Sequence, residues 1–244
     1  VGGVRAVCLA AALFIALPLF AQPKPEPPRP VQWPAITEKK LDNGLTVVLV
    51  PLHNVPKVEA DLTFLVGRGT ASKEKPGVAP LAARVLSEGT AKRTSKQLKE
   101  ELRAIGGDLS VTTDVDATTI SSSSLSDFTP RLLELLGDVA QHPSYPKDEV
   151  ELAKSNFANE IEEERSQPFF LAQEQVAKAL FGSTAYGFVV PDPNVLPKVT
   201  AESLREFAKT HFVPNGAVLI VVGDIDPERT LADVKKTFGS WARG

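Results

Sequence analysis

The amino-acid sequence predicts an α+β fold, a mainly antiparallel sheet covered by helices on one face. Two observations carry this. The hydrophobic pattern switches between the two-residue period of strands and the roughly 3.6-residue period of helices. The resulting order, β-β-β-α-α-β-β-α-α-α-α-β-α, groups strands with strands and helices with helices.

Ile36–Leu41 and Leu45–Pro51 read as strands around Asp42-Asn43-Gly44, a tight-turn signal. Lys57–Gly67 alternates, with Val58, Ala60, Leu62, Phe64 and Val66 on one face and polar residues between them. Gly77–Glu88 then reads as a helix with Val78, Leu81, Ala82, Val85 and Leu86 to one side. Pro80 is tolerated in its first turn and Gly89 stops it. Ser95 is expected to cap a helix over Lys96–Ile105, ended by Gly106-Gly107. Asp108–Asp114 and Asp116–Leu125 read as strands rich in Ser, Thr and Val. Four helices follow: to Gln141 from Asp127 or Thr129, from Pro146 to about Arg165, Pro168–Phe181, and Glu202–Phe212 capped by Thr200. Ala217–Val222 is an apolar strand, and Pro227 opens a last helix reaching about Trp241.

Composition narrows the function classes. The chain has 244 residues and a formal net charge of −3, so no basic excess favours nucleic acid. Residues 1–21 read as a signal peptide: Arg5, an apolar stretch from Ala6 to Phe20, and a small-residue cleavage site ending at Ala21. That stretch, about 15 residues, is short of the roughly 20 a membrane span needs. Residues 22–34, QPKPEPPRPVQWP, read as an extended proline-rich linker, and 35–244 as a single folded module. The only cysteine, Cys8, would leave with the signal, so disulfides and cysteine-ligated metals are not expected. A periplasmic or secreted protein is expected, with no membrane attachment after cleavage.

Catalytic constellations are absent from the local spacing. His53, His142 and His211 are scattered and read as surface or helix-end residues. Glu160, Glu162, Glu163 and Glu164 read as a solvated helix face. The run Ser121–Ser124 has no nucleophile elbow, and Gly67-Arg68-Gly69-Thr70 has no following GK[ST].

The string GVAPLAARVLSEGT, Gly77–Thr90, resembles the zinc-helix segment of the pitrilysin/insulinase-like zinc metallopeptidases, which include the mitochondrial processing peptidases. That family typically reads G-L-A-H-x-x-E-H-x-x-x-x-G-T there. The resemblance puts the first ligand His on Pro80, the water-activating Glu on Ala83 and the second ligand His on Arg84. Its third ligand, a Glu about 76 residues further on, falls on Glu160. Other segments are similar to the family in order: LDNGLTVVL, VGRGTASKEKPGVA with Glu74, GGDLSVTTDVDATT, HPSYPKDEV and FVPNGAVLIVVGDID.

The resemblance implies a metallohydrolase module of the LuxS/mitochondrial-processing-peptidase-like type. Its members usually carry two such modules as a clamshell; this chain has one, so a second module or a zinc-bearing subunit is the expected partner. Zinc, the cofactor of active relatives, is not expected here, because proline offers no donor and a guanidinium repels a cation. No catalytic residue is assigned. Peptide contact is expected at Ser110, Val111 and Thr112, on a strand whose edge can pair with an extended chain. Arg84 is expected to form an ion pair with Glu160 where zinc would stand. The function expected is that of a non-catalytic partner subunit assisting peptide binding. An active enzyme with altered ligands, using His53 or His142 with Glu160, and a purely structural subunit of an envelope complex are the alternatives.

Overall fold

Asp42-Asn43-Gly44 turns the chain because Gly44 takes a left-handed φ of 92°, open to a residue without a side chain. The turn joins β1, Thr37–Lys40, to β2, Thr46–Pro51, as an antiparallel hairpin. Asn43 locks it from within, donating through Nδ2 to the Phe238 carbonyl at 2.7 Å. The computed structural model describes residues 33–70 and 77–244. The signal peptide read at 1–21, the linker except for Trp33 and Pro34, and Glu74 therefore lie outside the described residues.

Four more strands complete the sheet: β3, Lys57–Phe64; β4, Asp108–Thr113; β5, Thr118–Leu125; and β6, Ala217–Gly223. Their order is β1-β2-β6-β3-β5-β4. Every neighbouring pair is antiparallel except β2 with β6, which run parallel from Thr46↔Val218 to Pro51↔Gly223. β4 is an edge strand.

Alternation decides which face is covered. Val47, Leu49, Val58, Ala60, Leu62, Phe64, Ile120, Leu219 and Val221 are buried, while the intervening positions are half-buried or exposed. Seven α-helices occur among the described residues: α1, Val78–Val85; α2, Ser95–Ala104; α3, Thr129–Gln141; α4, Lys147–Arg165; α5, Pro168–Phe181; α6, Ala201–His211; and α7, Pro227–Phe238. α1 packs on α4, α6 and β4; α3 packs on β5 and α7; α7 also reaches β2. The strand and helix order matches the pattern read from the sequence.

Several boundaries differ from expectation. Thr94, not Ser95, caps α2: its hydroxyl accepts from the Gln97 amide, and the Gln97 side chain returns the bond in a capping box. Thr200 caps α6 as expected. α1 stops at Val85 and not Glu88, because the Leu86 amide turns to the Ala83 carbonyl in a tighter 3₁₀ turn. β3 ends at Phe64 and α7 at Phe238, each three residues before the expected limit.

α5 stands apart from the core. None of its residues is buried, and Phe169, Leu171, Val176, Leu180 and Phe181 are exposed on it.

Candidate functional site

α1 is short, apolar and buried nearly all round. Val78 to Ala83 and Val85 are buried; Arg84 is exposed. Pro80 and Arg84, four residues apart, share a helix face, with Ala83 beside them. These are the three positions that the resemblance assigns to the first ligand, the second ligand and the general base.

Glu160 reaches this face from α4. Phe157 and Ile161 of α4 are buried against α1, which leaves Glu160 at the rim. Arg84 Nη2 lies 3.0 Å from Glu160 Oε1 and 2.9 Å from Oε2, the ion pair expected from the sequence. The guanidinium carbon also sits 4.1 Å from the centroid of the Phe157 ring, a cation–π contact. The side chains remain 38% and 45% exposed, so water screens the pair. The sequence reading did not single out Phe157; its place one helical turn before Glu160 was the available signal.

This donor set does not suit zinc. Zinc takes lone pairs from imidazole, thiolate or carboxylate, usually three or four of them. Pro80 and Ala83 offer none, and the one carboxylate is engaged by a cation. Among the described residues no three His, Cys, Asp or Glu side chains come together as metal ligands. His53 is taken by Asp224, with Nδ1 2.6 Å from Oδ1. His142 ends α3, and His211 lies against Phe207, where burial pushes its pKa down.

The residues around α1 hold it firmly. Tyr145, fully buried, donates its hydroxyl to the Ala82 carbonyl at 3.2 Å, and burial pushes its pKa up. Beyond the helix, Thr90 Oγ1 donates to Asp138 at 2.7 Å and accepts the Lys92 and Arg93 amides. Arg93 meets Asp138 at 2.6 Å, Glu101 at 2.9 Å and Glu134 at 3.1 Å, with only 10% of its side chain exposed. Burial opposes its charge, but the bonds and charges of Glu101 and Asp138 prevail and raise its pKa. Gly89 and Thr90, family-like in sequence, thus serve the framework.

β4 borders α1 on the sheet side. Ser110 and Thr112 are exposed and pair with Ser121 and Thr119 of β5; Val111 points to the covered face and packs on the core. The outer edge of β4 faces no strand among the described residues. The positions that the resemblance assigns to the metal site thus lie on α1, and the expected peptide strand borders the same helix.

Comparison with known proteins fits this architecture. Residues 46–193 match the family model for insulinase (peptidase family M16), and 198–244 match the M16 inactive domain. An uncharacterized zinc protease of Rickettsia felis is 25% identical over 84% of this chain and 50% of its own length. A probable mitochondrial-processing peptidase subunit beta of Arabidopsis thaliana is 26% identical over 81% of this chain and 38% of its own. The crystal structure of a peptidase M16 inactive domain from Pseudomonas fluorescens superposes with a TM-score of 0.81 at 23% identity, covering 86% of this chain and 52% of that one. The chain spans about half the length of the curated relatives it matches. With the matched segments spanning β2 to β6, α1 and α4, the chain belongs to the insulinase (M16) peptidase family.

Proposed function

We propose that this protein is a non-catalytic subunit that holds an extended peptide on β4 while a zinc-bearing relative cleaves it, outside the cytoplasm. The Arg84–Glu160 pair carries this reading. A cation occupies the place the family gives to a metal, its remaining carboxylate is neutralised, and Ala83 supplies no base for water.

Other observations support the accessory role. The β4 edge, which faces no strand among the described residues, offers main-chain hydrogen bonds to a peptide with little demand on its sequence. The exposed apolar side chains of α5 are the kind that interfaces cover. Export rests on the signal peptide read at 1–21; no helix among the described residues is long and apolar enough to cross a membrane.

Metal analysis and reconstitution test the proposal. The purified full chain is expected to hold no stoichiometric zinc and to cleave no peptide alone. Mixed with a zinc-bearing relative from the same cell, it is expected to raise that relative's peptide cleavage. Stoichiometric zinc in the chain alone, with proteolysis abolished by Glu160→Ala, overturns the reading.

A further inference from the structure

A cavity of about 510 Å³ opens where the last turns of α3 and α6 meet the chain that follows α7. Aromatic packing brings these segments together. Phe212, just past α6, and Trp241, just past α7, both pack on Phe64 of β3, with ring centroids 4.8 and 6.0 Å away. Buried Tyr145 and Phe212, with half-buried Val213 and Trp241, give the cavity an apolar side.

The charges that line it are of one sign. Arg205, Lys209 and Arg243 are present with His142, and no aspartate or glutamate joins them. Arg205 is held in place, since Nε donates to the Ser144 carbonyl at 3.0 Å and Nη2 to the Tyr145 carbonyl at 3.3 Å. Among the described residues Arg205 has one carboxylate contact, Nη1 to Glu202 at 3.6 Å, and Lys209 and Arg243 have none. The Glu202 side chain is 86% exposed, so water screens that contact. The helix ends account for only part of this charge. Two helix C-termini together carry roughly one negative elementary charge. Three cationic side chains exceed it, on a chain whose formal net charge is −3.

We propose that this cavity binds a small amphipathic carboxylate, with its head at Lys209 and Arg243 and its apolar body against Trp241 and Val213. The proposal does not rest on the β4 reading. The volume falls in the range of roughly 300–1,000 Å³ typical of small-ligand sites, which pair an apolar lining with a few placed polar groups. A guanidinium meets a carboxylate through two parallel hydrogen bonds, and Nη1 of the already positioned Arg205 adds a further donor. The methylene stems of Lys209 and Arg243 extend the apolar contact beneath the head. A neutral ligand of the same shape leaves the cations without a partner, and a cationic one meets like charge.

Calorimetric titration of the full chain with octanoate, octanol, octylammonium and inorganic phosphate tests this. Octanoate is expected to bind at one site, at least about tenfold tighter than octanol or phosphate, and octylammonium not to compete with it. Trp33→Phe leaves Trp241 as the only tryptophan, and its fluorescence is expected to change as octanoate binds. The double variant Lys209→Gln/Arg243→Gln alters two exposed side chains. It is expected to keep the thermal unfolding midpoint, to weaken octanoate at least about tenfold and to leave octanol within about twofold. Absence of octanoate binding, equal affinity for octanol, or affinity that survives the double variant overturns the proposal. Phosphate binding as tightly as octanoate overturns it too, because the apolar wall then contributes nothing.

Discussion

Tyr145 and Ala82, 63 residues apart, are joined by a hydrogen bond from the buried phenol to a helix carbonyl. The Leu86 amide, which would serve that carbonyl in a continuing α-helix, goes to Ala83. Tyr145 thus closes the open end of α1 and fixes its position against the start of α4. Tyr145 itself holds a φ of 49°, unusual for a bulky residue, so the surrounding packing maintains it.

Tyr145→Phe keeps the ring and removes only this bond. The loss expected is about 1–2 kcal/mol of unfolding free energy, since a buried carbonyl is left without its donor. Urea denaturation measures it. A change near zero would mean that water or another donor takes the carbonyl.

The Arg84–Glu160 pair is expected to tie α1 to α4 weakly. A double-mutant cycle with Arg84→Ala and Glu160→Ala should give a coupling of roughly 0.2–1 kcal/mol at low salt, less at 1 M. Arg84→Ala should cost more than Glu160→Ala, because it also removes the contact with Phe157.

Glu134 gives a pH signature. Burial raises its pKa, but hydrogen bonds and charges from Arg131 and Arg93 prevail and hold it below the usual glutamate value. The stabilisation is complete above the unfolded-state pKa and is lost as pH falls through the lowered folded value. A carboxyl-carbon NMR titration should find the midpoint below 4.5, and Arg131→Ala should move it upward.

Reinstating the family motif tests what the metal position lost. The triple variant Pro80→His/Ala83→Glu/Arg84→His supplies two imidazoles beside Glu160. It is expected to bind zinc stoichiometrically, by elemental analysis, where the unaltered chain binds none. Failure of a folded triple variant to take up zinc would show that Glu160 is not placed as a ligand.

Periodicity made the order of elements legible. Each strand or helix buries one face, and that pattern is local. The partners were less so. Nothing in Ala217–Gly223 says that this strand enters between β2 and β3, because pairing depends on chain more than 150 residues away. Ser95 and Thr94 are both capping types, and it is Gln97, three residues after Thr94, that selects Thr94 through a capping box. At the site, Glu160 and Arg84 could be paired only through the family spacing. The Thr90–Asp138–Arg93 cluster could not be read locally, since Asp138 of α3 lies 48 and 45 residues from the loop that carries Thr90 and Arg93. The cationic cavity needed the fold before Arg205, Lys209 and Arg243 could be seen as neighbours, since α3, α6 and the chain after α7 build it together.

The central position of β6 also bears on how the protein comes to be made. Until residues 217–223 have left the ribosome, β2 and β3 each present a bare edge and cannot meet. The nascent sheet is then two ribbons with sticky flanks, a state prone to self-association.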